Sequence, residues 1–228
     1  MAFSHSPRIV TDGLVLCLDA ANPQSYPGSG TTWADLSGNG NNGTLFNSPA
    51  FSSGSSGSIV FDGSDDYVGF GNIPIANITS VNNFTINIWM LRSVSGLGIG
   101  ILHKGPVSGN DYDWMVYLNG STNNVQFYKK NTSNVGSAVT GFNSDLNTIV
   151  NISISLSSDV VYFYKNGSFI SSSSLDGDIR TSSDPFKIGR GWDGSLNGKV
   201  YSNQIYNRAL SASEVLQNFE AVKSRFGL

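Results

Sequence analysis

An all-β sandwich closed by a short C-terminal helix is the fold class that the 228-residue sequence predicts. Strand-length segments with period-two alternation recur along the chain, separated by clusters of Gly, Asn, Asp and Ser. Both glutamates, Glu214 and Glu220, lie near the C-terminus, and what precedes them is rich in Ser, Asn, Gly, Thr and β-branched or aromatic residues, which discourage helices. One strong helix-start signature occurs, at Ser211.

Taken in order, the first apolar run is Leu14–Leu18. It holds the single cysteine, Cys17, which excludes an intramolecular disulfide and reads as a buried structural thiol. The stretch WADLSGNGNNGTL (Trp33–Leu45) then fits two templates. Gly38, Gly40 and Gly43 match G-x-G-x-x-G, but that chemistry needs a strand before the glycines and a helix after them. Here Asp35-Leu36-Ser37 is no apolar run, and Thr44–Pro49 is β-prone and ends in proline. Asp35, Ser37, Asn39 and Gly40 approach a calcium loop, yet position twelve is Phe46 where an EF-hand needs Glu, and neither flank is helical. An Asx-rich turn system is the reading that remains.

Ser58–Phe61 and Tyr67–Phe70 flank Asp62–Asp66, a hairpin-like turn. Phe84–Met90 alternates, with Phe84, Ile86, Ile88 and Met90 on one face. Trp114–Leu118 and Val125–Lys129 form another connected pair. Val150, Ile152, Ile154 and Leu156 alternate with Asn151, Ser153 and Ser155, the pattern of a sheet wet on one side. Val160–Lys165 meets Ser168–Ile170 across Asn166-Gly167, the strongest hairpin signal in the chain, and Ser171–Ser174 belongs to a strand end. Late strands are expected at Phe186–Gly189 and Lys199–Tyr206. Ser211 and Glu214 form a capping box, beyond which Val215, Leu216, Phe219, Val222 and Phe226 recur at helical spacing. With no linker-like composition, the chain divides into an arm, residues 1–12, and one domain, 13–228, that includes a helix over 211–226.

Charged residues make up 13% and the net charge is −3, so no field exists to attract nucleic acid or an anionic membrane. No segment reads as a membrane span. The start, MAFSHSPRIVTDG, lacks a secretory pattern, which leads us to expect synthesis and retention in a cytoplasm; the Asn-x-Ser/Thr sequons are accordingly read as unused.

A glycosidase needs a nearby carboxylate pair, and the sandwich portion has no glutamate. Asp65/Asp66 and Asp111/Asp113 remain; the first pair lies in a turn, the second beside Trp114. His5 and His103 are the sole histidines and no G-x-S-x-G elbow occurs, so a Ser-His-Asp triad lacks sequence support. Two histidines and one cysteine are too few for zinc. The expectation is a protein that is not an enzyme. Trp33 and Trp192 sit in loop-like contexts and, with Arg190 and Asp193, are the candidates for stacking on a sugar; Trp89 and Trp114 lie in strands and read as core.

Three stretches together resemble the laminin G-like branch of the concanavalin A-like lectin/glucanase superfamily: Asp35–Gly43, Val60–Val68, and Phe84-Thr85-Ile86 with Trp89. The tail, Gly198-Lys199-Val200 through Ile205–Ser211 to Glu214-Val215, is similar to the family's closing strand and helix, so the likeness spans about residues 14–224. It implies a jelly roll of two curved antiparallel sheets. It also implies calcium as an optional cofactor at loop ends, with Asp62, Asp65 and Asp66 as ligands and Asp35 contributing from the other turn; turn chemistry at Asp62-Gly63 is the simpler reading, and no cofactor is required. The opening, Leu14–Pro23 with Trp33-Ala34-Asp35, is similar to stand-alone proteins of tailed, notably marine, phages. That resemblance implies a non-enzymatic virion surface protein, made in the host cytoplasm. It would contact capsid or tail proteins or its own copies through residues 1–12 and Arg225–Leu228. The alternative is a glycan-binding adhesin.

Overall fold

Alternating burial builds two facing sheets. The structure, a computed structural model, describes residues 7–71, 83–96, 98–106, 111–191 and 193–228. Strands β1 (Leu14–Asp19), β2 (Thr32–Trp33), β3 (Gly43–Phe46), β4 (Ala50–Ser52), β5 (Ser58–Asp62) and β6 (Tyr67–Phe70) come first. They are followed by β7 (Phe84–Arg92), β8 (Ile99–Lys104), β9 (Trp114–Leu118), β10 (Asn124–Lys130) and β11 (Gly136–Asn143). The last are β12 (Val150–Ser157), β13 (Val160–Lys165), β14 (Ser168–Ser174), β15 (Phe186–Ile188) and β16 (Asn197–Tyr206), then helix α1 (Ala212–Val222) and a 3₁₀ turn, Lys223–Phe226.

One sheet runs β14-β13-β12-β7-β16-β5-β4, with β1 pairing the C-terminal half of β16. The other runs β11-β10-β9-β8-β15-β6-β3-β2. The helix covers the first, so we call them the helix-side and loop-side sheets. Phe84, Ile86, Ile88 and Met90 of β7 face Trp114, Val116 and Leu118 of β9 and Val125 and Phe127 of β10 in one continuous core. At the β13–β14 hairpin Asn166 and Gly167 have φ of 51° and 75°, the pair of positive values that a tight primed turn demands.

The GNGNNG stretch turns the chain. Gly38 and Gly40 take φ of 89° and 73°. The Asp35 carboxylate accepts from the backbone N–H of Cys17, Ser37 and Asn41, and the Asn39 and Asn41 amides donate to Val15 O. A strand, β3, follows instead of a helix, so the nucleotide template has no support here.

Four expectations are corrected. Ser58–Phe61 and Tyr67–Phe70 are not a hairpin: β5 pairs with β4 and β16, β6 with β3 and β15. Asp62–Asp66 is therefore an arch between sheets; a turn signal marks a reversal without saying which sheet the chain re-enters. The polar face of β12 is dry. Asn151, Ser153 and Ser155 are at most 1% exposed: Asn87 Nδ2 donates to Gln204 Oε1 (2.6 Å) and Asn151 Nδ2 and Ser153 Oγ donate to Asn87 Oδ1, each at 2.7 Å, while Ser155 Oγ accepts from Thr85 Oγ1 and donates to Leu210 O.

Nor do the chain ends stand clear. Val10 is buried, its N–H donates to Asn218 Oδ1 and its carbonyl accepts from the Tyr206 hydroxyl; Phe226 stacks on Trp89 with centroids 4.5 Å apart. Residues 1–6 of the arm lie outside the described residues. Finally, α1 has its capping box at Ser211 and Glu214 and buries Val215 and Phe219, but Leu216 faces solvent. The helix stripe centres on Val215, Asn218 and Phe219, and Leu216 is one residue out of phase with it.

Candidate functional site

The outer face of the loop-side sheet is set by the same alternation that fills the core. With Trp114, Val116 and Leu118 turned in, Met115 and Tyr117 turn out; with Val125 and Phe127 in, Gln126 and Tyr128 turn out. Tyr117 and Tyr128 meet edge to face at 5.5 Å, and Tyr112 meets Tyr128 at 6.1 Å. Toward the other edge Phe46 of β3 lies opposite Tyr67 of β6, the rings stacked at 4.7 Å and 8°.

A loop, residues 189–195, joins these two aromatic groups. The Arg190 guanidinium sits 5.5 Å from the Tyr67 ring centre, and Asp193 Oδ2 accepts the Tyr117 hydroxyl proton at 2.6 Å. Close approach of backbones lets the loop lie flat: a Cβ built on Gly100 of β8 would fall 2.4 Å from Gly191 Cα. Two of the sequence candidates, Arg190 and Asp193, are thus brought to one face; Trp192 between them lies outside the described residues.

Beside Phe46 and Tyr67 a cleft of about 260 Å³ opens, also lined by Thr44, Gly69, Pro185 and Lys187. Lys187 is nearly fully buried and its ammonium donates to Pro106 O at 2.6 Å. Burial, reinforced by Arg190, pushes its pKa down to about 8. Its cross-strand partner His103 is 1% exposed. Nε2 of His103 donates to Asp111 O and Nδ1 has no partner among the described residues. Burial and then the Lys187 charge bring this imidazole down to about 4, so it is neutral at physiological pH.

The acidic candidates separate. Oxygen atoms of Asp62, Asp65 and Asp66 lie within 4.8 Å of one another. Asp66 is buried, and its pKa is raised by that burial and by its two acidic neighbours. Two of the oxygens serve the arch itself, Asp66 Oδ2 accepting from Asp62 N and Asp62 Oδ1 from Ser64 N. Asp35 does not join them; its carboxylate is engaged by the Ser37–Asn41 turn, which corrects its placement as a fourth ligand. Asp113, fully buried, pairs with Arg180 Nε at 2.9 Å and accepts from Ser182 N and Oγ. Asp111 is held down to about 2, first by Lys130 and then by Arg180.

Trp33 is also corrected. It occupies β2 and is 0% exposed within the main core, so no ring face is available to a sugar. Trp114 is a core residue as expected, and Trp89 is buried under Phe219 and Phe226.

A family model described as the concanavalin A-like lectin/glucanases superfamily matches residues 62–216. The chain belongs to that superfamily. Solved structures of similar fold include the binding domain of Paraclostridial mosquitocidal protein 1, 20% identical with a TM-score of 0.71 over 92% of this chain and 52% of that one. This chain therefore spans about half the length of that toxin domain. Domain 4 of AbnA, an extracellular GH43 arabinanase from Geobacillus stearothermophilus solved with arabinotriose, is 18% identical, with a TM-score of 0.68 over 94% of this chain and 99% of that domain. Trypanosoma rangeli sialidase is 16% identical, with a TM-score of 0.66 over 93% of this chain and 33% of its own. Among curated proteins, no sequence match was found.

In this lectin/glucanase-type sandwich, sequence reasoning found the loop carrying Arg190 and Asp193 but missed Phe46, Tyr67, Tyr117 and Tyr128. The signal for Tyr117 and Tyr128 was present: both stand out of phase with the apolar positions of their strands.

Proposed function

We propose that this superfamily member is a non-catalytic glycan-binding module. Its ligand lies on the outer face of the loop-side sheet, along Phe46, Tyr67 and Tyr128, with the buried Tyr117 anchoring the loop beside them. One observation carries the reading: a single loop sets Arg190 beside Tyr67 and Asp193 beside Tyr117. A sugar offers apolar C–H faces ringed by hydroxyls, and aromatic surface flanked by a guanidinium and a carboxylate meets both. The match over nearly all of an arabinanase domain bound to arabinotriose supports it, as does likeness to a botulinum neurotoxin type G receptor-binding domain, with a TM-score of 0.65. The carboxylate pair beside Trp114 is not poised to give a proton as a hydrolase requires: Asp111 and Asp113 are both held by cations.

Display on a tailed-phage virion belongs to this proposal as the carrier of the module. Attachment to a capsid or tail through the chain ends has less support, since residues 8–12 and the turn at 223–226 are packed on the sandwich. Calcium, if the module uses it, would be held by Asp62, Asp65 and Asp66, where it would relieve repulsion among the three; superimposable melting curves with calcium and with chelator would remove it.

A glycan array with the unaltered chain, Phe46→Ala and Arg190→Ala tests the function. We expect a defined set of glycans to bind, with at least a tenfold loss in both variants, roughly 1.4 kcal/mol, at unchanged melting temperature. Binding indifferent to both substitutions, or no binding across the array, would refute the proposal.

A further inference from the structure

Three cross-strand neighbours, Thr44 of β3, Gly69 of β6 and Lys187 of β15, form one row on the loop-side sheet. Phe186 and Ile188 turn into the core, which puts Lys187 on the outer face. The next row holds the stacked pair Phe46 and Tyr67. Gly69 lets those rings lean over the first row: a Cβ built there would fall 2.8 Å from Phe46 Cε2 and 3.1 Å from Tyr67 Cε2. The two rings, the row beneath them and Pro185 line the cleft of about 260 Å³. That volume is slightly below the roughly 300–1,000 Å³ of drug-sized sites, room for a single sugar ring.

Two cations serve this cleft, and among the described residues no acid does. Lys187 lines it, and the Arg190 guanidinium stands 5.5 Å from the ring centre of Tyr67, which also lines it. All sixteen acidic residues lie among the described ones. None forms an ion pair with Lys187 or Arg190. Asp184, whose charge favours the Lys187 ammonium, has its Oδ2 engaged by Ser182 Oγ at 2.8 Å. The ammonium meets one acceptor, Pro106 O, which leaves it further N–H groups to give. The two cations also repel each other, which adds to burial in lowering the Lys187 pKa. Asp193, the carboxylate of the same loop, is taken up at the Tyr117 end.

We infer that the sugar held in this cleft carries a carboxylate, presented to Arg190 and Lys187, with its ring face on Phe46 and Tyr67. The inference rests on the glycan-binding reading above and narrows it to acidic glycans, those containing a uronic or a nonulosonic acid. A carboxylate answers two unpaired charges at once and suits the flat fork of a guanidinium. A neutral sugar would cover both charges and compensate neither. The loop also sets a direction along the face. The acidic ring lies at the Arg190 end and a neutral one toward Asp193, where a second carboxylate would be repelled.

Titration calorimetry on the full chain tests it, with trigalacturonic acid and sialyllactose as probes, each beside its carboxyl-reduced counterpart. The two acids separate uronic from nonulosonic recognition. At least one should bind roughly tenfold or more tightly than its reduced form. Arg190→Gln and Lys187→Met should bring that ratio toward one. Loss of stacking or of folded protein leaves the ratio alone, because both members of a pair share it. Arg190 is partly exposed, so its variant carries the test if the buried Lys187 tolerates no replacement. Equal affinity for an acid and its reduced form, or a ratio unmoved by Arg190→Gln, would overturn the acidic specificity while leaving a glycan-binding module in place. Binding confined to neutral glycans on the array would do the same, and an array blank throughout would refute both readings.

Discussion

Tyr117 and Asp193, seventy-six positions apart, are joined by a 2.6 Å hydrogen bond from hydroxyl to carboxylate. The bond fastens the loop at 189–195 to the sheet on which the proposed ligand lies. Tyr117→Phe should leave stability within about 1.5 kcal/mol of the unaltered chain yet weaken glycan binding roughly tenfold, read by calorimetry. Gly100→Ala should weaken it further, because the new methyl meets Gly191 backbone and lifts the loop.

Acid should destabilise the protein in two stages. His103 has a folded pKa of about 4 against an ordinary 6.5, so between these values the unfolded chain binds more protons than the folded one. Its contribution is fully present above pH 6.5 and is lost as pH falls toward 4, about 3 kcal/mol in all. Asp111 and Glu214, held down to about 2 by Lys130 and Arg208 respectively, withdraw theirs at lower pH still. Lys187→Met removes a repulsive charge, so an NMR titration should find the His103 pKa moved upward. An unmoved value would show that burial alone sets it.

Trp33→Ala tests the corrected placement of that tryptophan. A ring fully enclosed between β2 and the main core should cost about 3–5 kcal/mol on truncation, measured by chemical denaturation. A stable variant that merely lost sugar binding would instead return Trp33 to the surface.

What the sequence disclosed follows from how much each element depends on its own pattern. β7 and β12 carry their apolar residues at period two, and the Asn166-Gly167 turn and the Ser211–Glu214 box are self-contained devices, so all were legible. β11 reads GSAVTGFN, with Val139 and Phe142 its sole buried apolar side chains; it is a strand because β10 lies beside it. The two residues of β2 are too few to show alternation, which made Trp33 look like a loop residue. Asn151, Ser153 and Ser155 look the same whether water or a helix covers them, since side-chain partners 60 or more positions away decide the matter. At the candidate site, turn composition located Arg190 and Asp193, whereas pairing Tyr67 with Phe46 required the sheet order.

Removing residues 1–12 should destabilise the domain. Val10 is buried against Tyr164, Tyr206, Leu210 and Val215, and its loss would leave Asn218 Oδ1 and the Tyr206 hydroxyl without their backbone partners. Apolar burial and two buried hydrogen bonds together suggest roughly 3 kcal/mol, visible as a lower denaturation midpoint. An unchanged midpoint would restore the arm to the role of a free appendage.

Lys129→Met should loosen one connection without opening the core. The Lys129 stem lies fully buried among residues of β10, and its ammonium gathers the carbonyls of Leu175 and Gly177, with Asp159 3.9 Å away. Methionine keeps the apolar volume but takes the donor from the buried Leu175 carbonyl, about 1–3 kcal/mol for one buried acceptor, while the carbonyl of exposed Gly177 can turn to water. The same connection carries Arg180, which holds Asp111 and Asp113. Hydrogen exchange should therefore speed up first at Leu175 N and Arg180 N, whose acceptors are Asp159 O and Lys130 O, while β7 and β12 stay protected. Uniform loss of protection across all strands would mean that Lys129 supports the whole sandwich, because an ammonium that merely pins a loop has no means of loosening the pairing of β7 with β12.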